Sequence, residues 1–152
     1  VGILATKGTL SSKLFEKTTR EYAKNITTIE QEGAGLVPLI EAGKINTPDT
    51  IQLLETYLKL MLQFNIDHLV LGCTHYPYLI PAIKNILGPN VNIIDSGEAV
   101  AKQTKTVLEK NVLLNTIKTT PNHQFFTNGN KKVLKTILKP INLELSIKQL
   151  DF

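Results

Sequence analysis

Tryptophan is absent from this sequence, and cysteine, methionine and arginine occur once each, as Cys73, Met61 and Arg20. A lone thiol excludes a disulfide within the chain. With no secretory signal at its start, the sequence is expected to work in the cytoplasm. There is no CxxC, no histidine pair at helical ligand spacing and no second cysteine, which argues against a zinc site. Neither a Walker-type phosphate loop nor GxGxxG is present. No apolar run approaches the roughly 20 residues that a membrane span needs. Four tyrosines and five phenylalanines leave little for base-stacking platforms. A single arginine is likewise a poor endowment for bidentate readers of phosphate or base. The lysines behind the net charge of +4 are scattered (Lys7, Lys13, Lys24, Lys59, Lys84, Lys105, Lys118), with one doublet at Lys131-Lys132. They read as a solvated surface and not as a nucleic-acid interface.

What is present is an ordinary globular composition, 42% apolar over 152 residues, enough for one domain with a real core. Strand-like and helix-like segments alternate, which points to α/β architecture with a parallel sheet. Val1 to Ala5 reads as a buried strand with no capping segment before it, so the sequence is expected to be a piece of a longer protein. Thr6 to Ser12 reads as a polar loop, and Ser12 to Lys24 as a helix. A short strand follows at Ile26 to Glu30. Gly33-Ala34-Gly35 then breaks the chain before the apolar Leu36 to Ile40, with Glu41 just beyond.

The plainest helix begins at Thr47 as N-cap, with Pro48 in the first turn and Asp49 complementing the helix dipole. Its apolar stripe is Ile51, Leu54, Leu58, Met61 and Leu62, and Asn65 stops it. His68 to Leu71 is the next strand, followed by a short helix flanked by Pro77 and Pro81 and running to Gly88-Pro89. Val91 to Ile94 is a strand, Glu98 to Glu109 a helix, and residues 111 to 122 a linker. His123 to Thr127 is a strand, Asn128 to Asn130 a turn and Lys131 to Leu138 a helix. Ile141, Leu143, Leu145 and Ile147 alternate as a half-buried strand.

In parallel α/β folds ligands bind where strands end. Three polar clusters fall at such ends: Thr6 to Thr9, Cys73-Thr74-His75, and Asp95-Ser96. A cysteine between a buried strand and a helix sits near backbone N–H donors and the positive end of a helix dipole, a setting that stabilises the thiolate. His75 is placed to donate to a ligand or exchange protons with it. The same residues also read as a small buried thiol beside a histidine that caps the next helix. Cys–His hydrolase chemistry lacks a placeable orienting Asn or Asp. Lys13 and Lys84, on helices, read as solvated and not as Schiff-base formers.

The string Leu71-Gly72-Cys73-Thr74-His75-Tyr76-Pro77 resembles the signature around the second catalytic cysteine of glutamate racemases. Four more blocks agree in order: Val1 to Thr9; Val37-Pro38-Leu39-Ile40-Glu41-Ala42-Gly43; Ile93 to Ala101; and Phe125-Phe126-Thr127-Asn128-Gly129. Ala5 stands where glycine is commoner. Gly33-Ala34-Gly35-Leu36 stands where the family often has Ala-Cys-Pro or Ala-Thr-Pro, which leaves that loop's contribution to substrate open. Aspartate racemases share Gly-Cys-Thr but usually follow it with Glu where this chain has His75.

The resemblance implies an α/β, parallel-sheet, three-layer lobe of a two-lobed, pseudo-symmetric racemase fold, with the first half of the chain and its catalytic cysteine missing. Residues 1–96 would form the second lobe, and 97–152 would return to pack on the absent first lobe. The implied reaction interconverts L- and D-glutamate by proton abstraction and reprotonation at the α-carbon, supplying D-glutamate for peptidoglycan. Cys73 and His75 would be catalytic, and Thr74, His75, Thr6, Thr9 and Glu41 would line the substrate. No cofactor or metal is implied, nor any nucleic-acid or membrane partner, and the full-length protein is expected to be a homodimer. Two alternatives remain: an aspartate-racemase-type relative, and an α/β domain that binds a ligand without turning it over.

Overall fold

The computed structural model describes residues 1–117, 120–141 and 145–151. Four strands, β1 (Gly2–Ala5), β2 (Ile29–Glu32), β3 (His68–Gly72) and β4 (Asn92–Ile94), form one sheet. Its order is β2-β1-β3-β4 and every pairing is parallel. The helices between them are α1 (Lys7–Leu10), α2 (Lys13–Tyr22), α3 (Leu36–Glu41), α4 (Pro48–Gln63) and α5 (Ile80–Leu87). After β4 come α6 (Gly97–Lys110), β5 (His123–Thr127), α7 (Lys131–Leu138) and β6 (Leu145–Gln149). The parallel α/β expectation is met, and Lys118 and Leu143 lie outside the described residues. No described helix is long and apolar enough to cross a membrane.

Local chemistry explains where the elements depart from expectation. The Thr6–Ser12 segment is not a loop but holds α1, because the Thr6 hydroxyl accepts the Thr9 N–H and so caps a helical turn. Ser12 caps α2 in the same way through the Phe15 N–H, 3.1 Å away. Strand β2 lies three residues later than its expected start, at the register that sets Ile29 beside Gly2 and packs it on the core. Ile26 is left half exposed. Pro77 and Pro81 do not flank one helix. Each sits in the first turn of its own, a 3-10 turn (Tyr76–Leu79) and then α5, where a missing N–H costs nothing. Thr47 stands at the N-cap of α4, but its hydroxyl donates to the Lys44 carbonyl, as does that of the fully buried Thr50. Ile141 falls in a 3-10 turn, and β6 begins at Leu145.

The core lies between the sheet and α3, α4 and α5. Leu4, Leu69 and Leu71 point to one face and meet Leu36, Ile40, Leu54, Leu58, Met61, Leu79 and Ile83, all essentially without solvent contact. Burying each such side chain contributes about 1.5–3 kcal/mol. Gly2 is needed for this packing, since a Cβ there would stand 2.7 Å from the Met61 sulfur. The other face is less covered: Val70 is half buried, and its neighbour in register, Ile94, is exposed. No residue of α6 is buried, and Val100, Val107, Val112 and Leu113 are open to solvent. Strands β5 and β6 form a separate parallel pair joined through α7.

One buried polar contact ties the strand ends together. Gly33 donates its N–H to the Ala5 carbonyl at the end of β1, and its own carbonyl accepts the Tyr76 hydroxyl at 3.0 Å. A side chain at Gly33 would overlap that hydroxyl. Tyr57 on α4 donates to the next carbonyl, Ala34, at 2.7 Å. Burial, helped by the nearby Cys73, pushes the Tyr76 phenol up to about 12.

The folded phenol therefore ionises later than the unfolded one, near 10. Its contribution to stability is full below pH 10 and is lost as pH rises through 12. Tyr76→Phe should lower stability at pH 7 by about 1–3 kcal/mol, the penalty for a buried carbonyl left unpaired. It should also flatten the part of the alkaline decline between pH 10 and 12 that belongs to this phenol. Gly33→Ala should destabilise the parent chain more than the Tyr76→Phe variant. Urea unfolding across pH checks both, and an unchanged alkaline slope in Tyr76→Phe would contradict the assignment.

Candidate functional site

Strands β1 and β3 are neighbours, but the chain leaves them toward opposite edges of the sheet, to β2 and to β4. The loops after them must diverge, and a crevice opens between them at the carboxyl ends. Thr6 and Thr9 follow β1, Cys73 and Thr74 follow β3, and Asp95 and Ser96 follow β4. All six line one open cleft of about 610 Å³, floored by Val70, Leu71, Gly72 and Ile94. A larger hollow of about 800 Å³ lies between α4 and α5, lined by Gln52, Glu55, Lys59 and Asn85 among others. It holds no thiol and does not lie at the carboxyl ends of the strands, so the chemistry favours the smaller cleft.

The neck of the cleft is a close approach of two strands. A Cβ at Gly72 would stand 2.7 Å from that of Ala5, so β1 and β3 can sit side by side there only because Gly72 lacks one. Cys73 emerges next, half buried, with the core behind it. Its carbonyl accepts the Tyr76 N–H at 3.2 Å, which starts the turn into the 3-10 helix. Thr74 is exposed at the rim. Across the neck the Thr9 hydroxyl donates to the Gly72 carbonyl at 3.1 Å, and the Thr6 and Thr9 hydroxyls lie 3.1 Å apart.

His75 and Glu41 are not among the lining residues. They pair with each other instead, Nε2 to Oε1 at 3.2 Å, with the histidine 29% and the carboxylate 51% exposed. Glu41 ends α3, which runs from the loop that Tyr57 and Tyr76 hold and is preceded by Gly35 as N-cap, whose φ of +78° suits glycine. His75 occupies the cap position of the 3-10 turn, but its side chain caps nothing. With Nε2 turned to a carboxylate, Nδ1 is the nitrogen left for a ligand.

The three polar clusters at the strand ends are thus brought together, while the acidic partner of His75 arrives from elsewhere in the chain. Asp95 accepts the Gly97 N–H at 2.6 Å with one oxygen. Its place in the sequence marked it as a rim residue, though without a role. Two participants escaped the sequence, the hydroxyls of Tyr57 and Tyr76. They act through bonds 23 and 43 residues away, which no local pattern announces. Among the described residues no three of His, Cys, Asp and Glu gather closely enough to hold a metal ion.

Comparison with known proteins agrees across the chain. Residues 1–104 match the family model described as Asp/Glu/Hydantoin racemase. Glutamate racemase of Herpetosiphon aurantiacus is 35% identical over 95% of this chain, which covers 57% of that protein. Among solved structures, a glutamate racemase isoform of Bacillus anthracis superposes with a TM-score of 0.83 at 30% identity, over 99% of this chain and 57% of its own. The glutamate racemase of Francisella tularensis in complex with D-glutamate gives 0.82 at 27% identity, over 99% of this chain and 57% of its own. The chain therefore spans about half the length of the relatives it matches.

Cys73 should be reachable in the folded chain. An aromatic disulfide reagent should titrate one thiol per chain without denaturant, monitored by release of the coloured thiolate. Reaction only after addition of denaturant would mean that the thiol is sealed in the core and the cleft is not an entry to it.

Proposed function

This chain belongs to the Asp/Glu/Hydantoin racemase family, and from that premise we propose that it is the part of a glutamate racemase carrying one of two catalytic cysteines. The observation that carries the reading is the position of Cys73: after β3, beside the switch point, in a cleft with Thr6 and Thr74, and two residues from a histidine paired with a carboxylate. Glutamate is the substrate class because the matched relatives are glutamate racemases, one of them solved with D-glutamate.

The α-proton of an amino acid is a weak acid, and a single base on one face tends to return the proton where it came from. Inversion therefore needs a base on one face and an acid on the other. Cys73 as thiolate takes the α-proton into a new S–H bond, and the C–H electron pair moves toward the substrate carboxylate. A thiol on the opposite face, from the remainder of the protein, gives its proton to the α-carbon. In the reverse direction the two sulfurs exchange parts. Thr74 offers its hydroxyl group to the substrate, while the Thr6 oxygen lies in the same cleft with Thr9 directly behind it. His75 contacts the substrate and exchanges protons on this half-site, held by Glu41.

Residues 1–96 form the lobe that carries Cys73, and 97–152 pack on a companion lobe. Three features support this division. The large buried cluster and the side chains packed against it end at Ile93. Val100 and Val107 of α6, and Val112, Leu113, Leu114 and Ile117 after it, are exposed. Strands β5 and β6 form a parallel pair, a kind that normally lies within a covered sheet. The full-length protein acts in the cytoplasm as a homodimer, and its D-glutamate serves peptidoglycan synthesis.

The chain by itself should not interconvert the glutamate enantiomers, because it supplies one of two bases; chiral chromatography checks this. In the full-length protein, Cys73→Ala should abolish racemisation. Cys73→Ser should nearly do so, since a hydroxyl without an activating base is a weak proton acceptor. His75→Asn should lose about 10²–10⁴-fold, the usual worth of acid–base assistance. That loss should fall unequally on kcat in the two directions. In contrast kcat/KM must fall equally, because mirror-image substrates have an equilibrium constant of unity. Near wild-type racemisation by Cys73→Ala would make Cys73 a structural thiol and end this reading.

A further inference from the structure

We propose that Thr9 is a positioning residue for Cys73 and not a contact to the substrate carboxylate; this rests on the racemase reading above. Each hydroxyl has one proton to give. That of Thr9 goes to the Gly72 carbonyl at 3.1 Å. The Thr6 hydroxyl lies 3.1 Å from the Thr9 oxygen and is left to donate to it, while accepting the Thr9 N–H at 3.4 Å. The circuit Thr6–Thr9–Gly72 is closed, and Thr9 has no proton left for a ligand.

What that bond restrains follows from the residue it reaches. Gly72 ends β3, and its lack of a Cβ is required by the approach to Ala5. Glycine is also the residue whose backbone swings most freely. The peptide it forms with Cys73 is therefore the natural hinge between a rigid strand and the reactive sulfur. Turning that peptide redirects the Cys73 side chain. The Thr9 hydroxyl grips the carbonyl of this same peptide from a segment 63 residues away in sequence. The Thr9 methyl lies 3.4 Å from where a Gly72 Cβ would be, so the side chain abuts the hinge as well as bonding it.

Three substitutions in the full-length protein separate bond, packing and binding. Thr9→Val keeps the branched shape without the hydroxyl. Thr9→Ser keeps the hydroxyl without the methyl. Thr9→Ala keeps neither. With glutamate enantiomers as substrates and folding verified by circular dichroism, Thr9→Val should lower kcat about tenfold, equivalent to about 1.4 kcal/mol on the barrier. KM should stay within about twofold, an order-of-magnitude bound for a residue that binds no substrate. Thr9→Ser should recover most of the rate. If Thr9→Val does not fold, the Ser and Ala variants make the same comparison, since both lack the methyl and differ only in the hydroxyl. A large rise in KM with kcat unchanged would make Thr9 a substrate contact and overturn the proposal, and so would a Thr9→Val or Thr9→Ala enzyme as active as its serine counterpart. A wild-type protein that does not interconvert the enantiomers would remove the racemase reading and this inference with it.

Discussion

The hydrogen bond from the Tyr76 hydroxyl to the Gly33 carbonyl is a buried polar tie between two segments that also pack together through Leu36, Ile40 and Leu79. One is the turn after β3, which carries Cys73, Thr74 and His75. The other is the loop after β2, which leads into α3 and ends at Glu41. Gly33 is also tied to β1 through its N–H, so three strand ends converge on one residue without a side chain. The bond is buried, and an unpaired carbonyl there would be expensive. The His75–Glu41 pair depends on this junction, because each member sits on one of the two arms it fixes.

The parallel sheet determines the rest. Its order sends the chain to opposite edges after β1 and after β3, and the cleft is the space those departures leave. Polar side chains can then be carried on short loops at the cleft while the strands beneath stay packed. Leu4, Leu69 and Leu71 serve the core on one face and are followed within a few residues by Thr6, Cys73 and Thr74 at the rim. Close packing at Gly72 and Ala5 brings the two loops near enough for Thr9 to reach across.

Much of this was legible in the sequence because it is local. The apolar stripe and proline of α4, the buried runs of β1 and β3, and the polar clusters at the strand ends follow from periodicity and cap chemistry. Through resemblance to a family, the cysteine signature singles out Cys73 and His75, and the separate block over residues 37–43 singles out Glu41. What was not legible depends on partners far away in the chain. Strand β2 is placed by its register with β1 and not by its own composition, which mixes Ile29 with Glu30, Gln31 and Glu32. The turn at α1 is too short for a period to show, and only the Thr6 cap reveals it. Nothing near Tyr76 in sequence predicts that its hydroxyl will seek Gly33. The Gly33-Ala34-Gly35 loop, a departure from the family's pattern, fits that hydroxyl because Gly33 has no side chain to obstruct it.

The sulfur atoms of the chain form a matched pair of internal reporters. Met61 is the only thioether, and its sulfur lies against Gly2 where β1 begins. Cys73 is the only thiol, placed where β3 ends. An isotope-labelled methionine methyl therefore yields a single resonance from the sealed bottom of the sheet. A thiol-directed label yields a single signal from its open top. Events in the cleft and events in the core can be followed separately in this one chain, with no residue introduced and none removed.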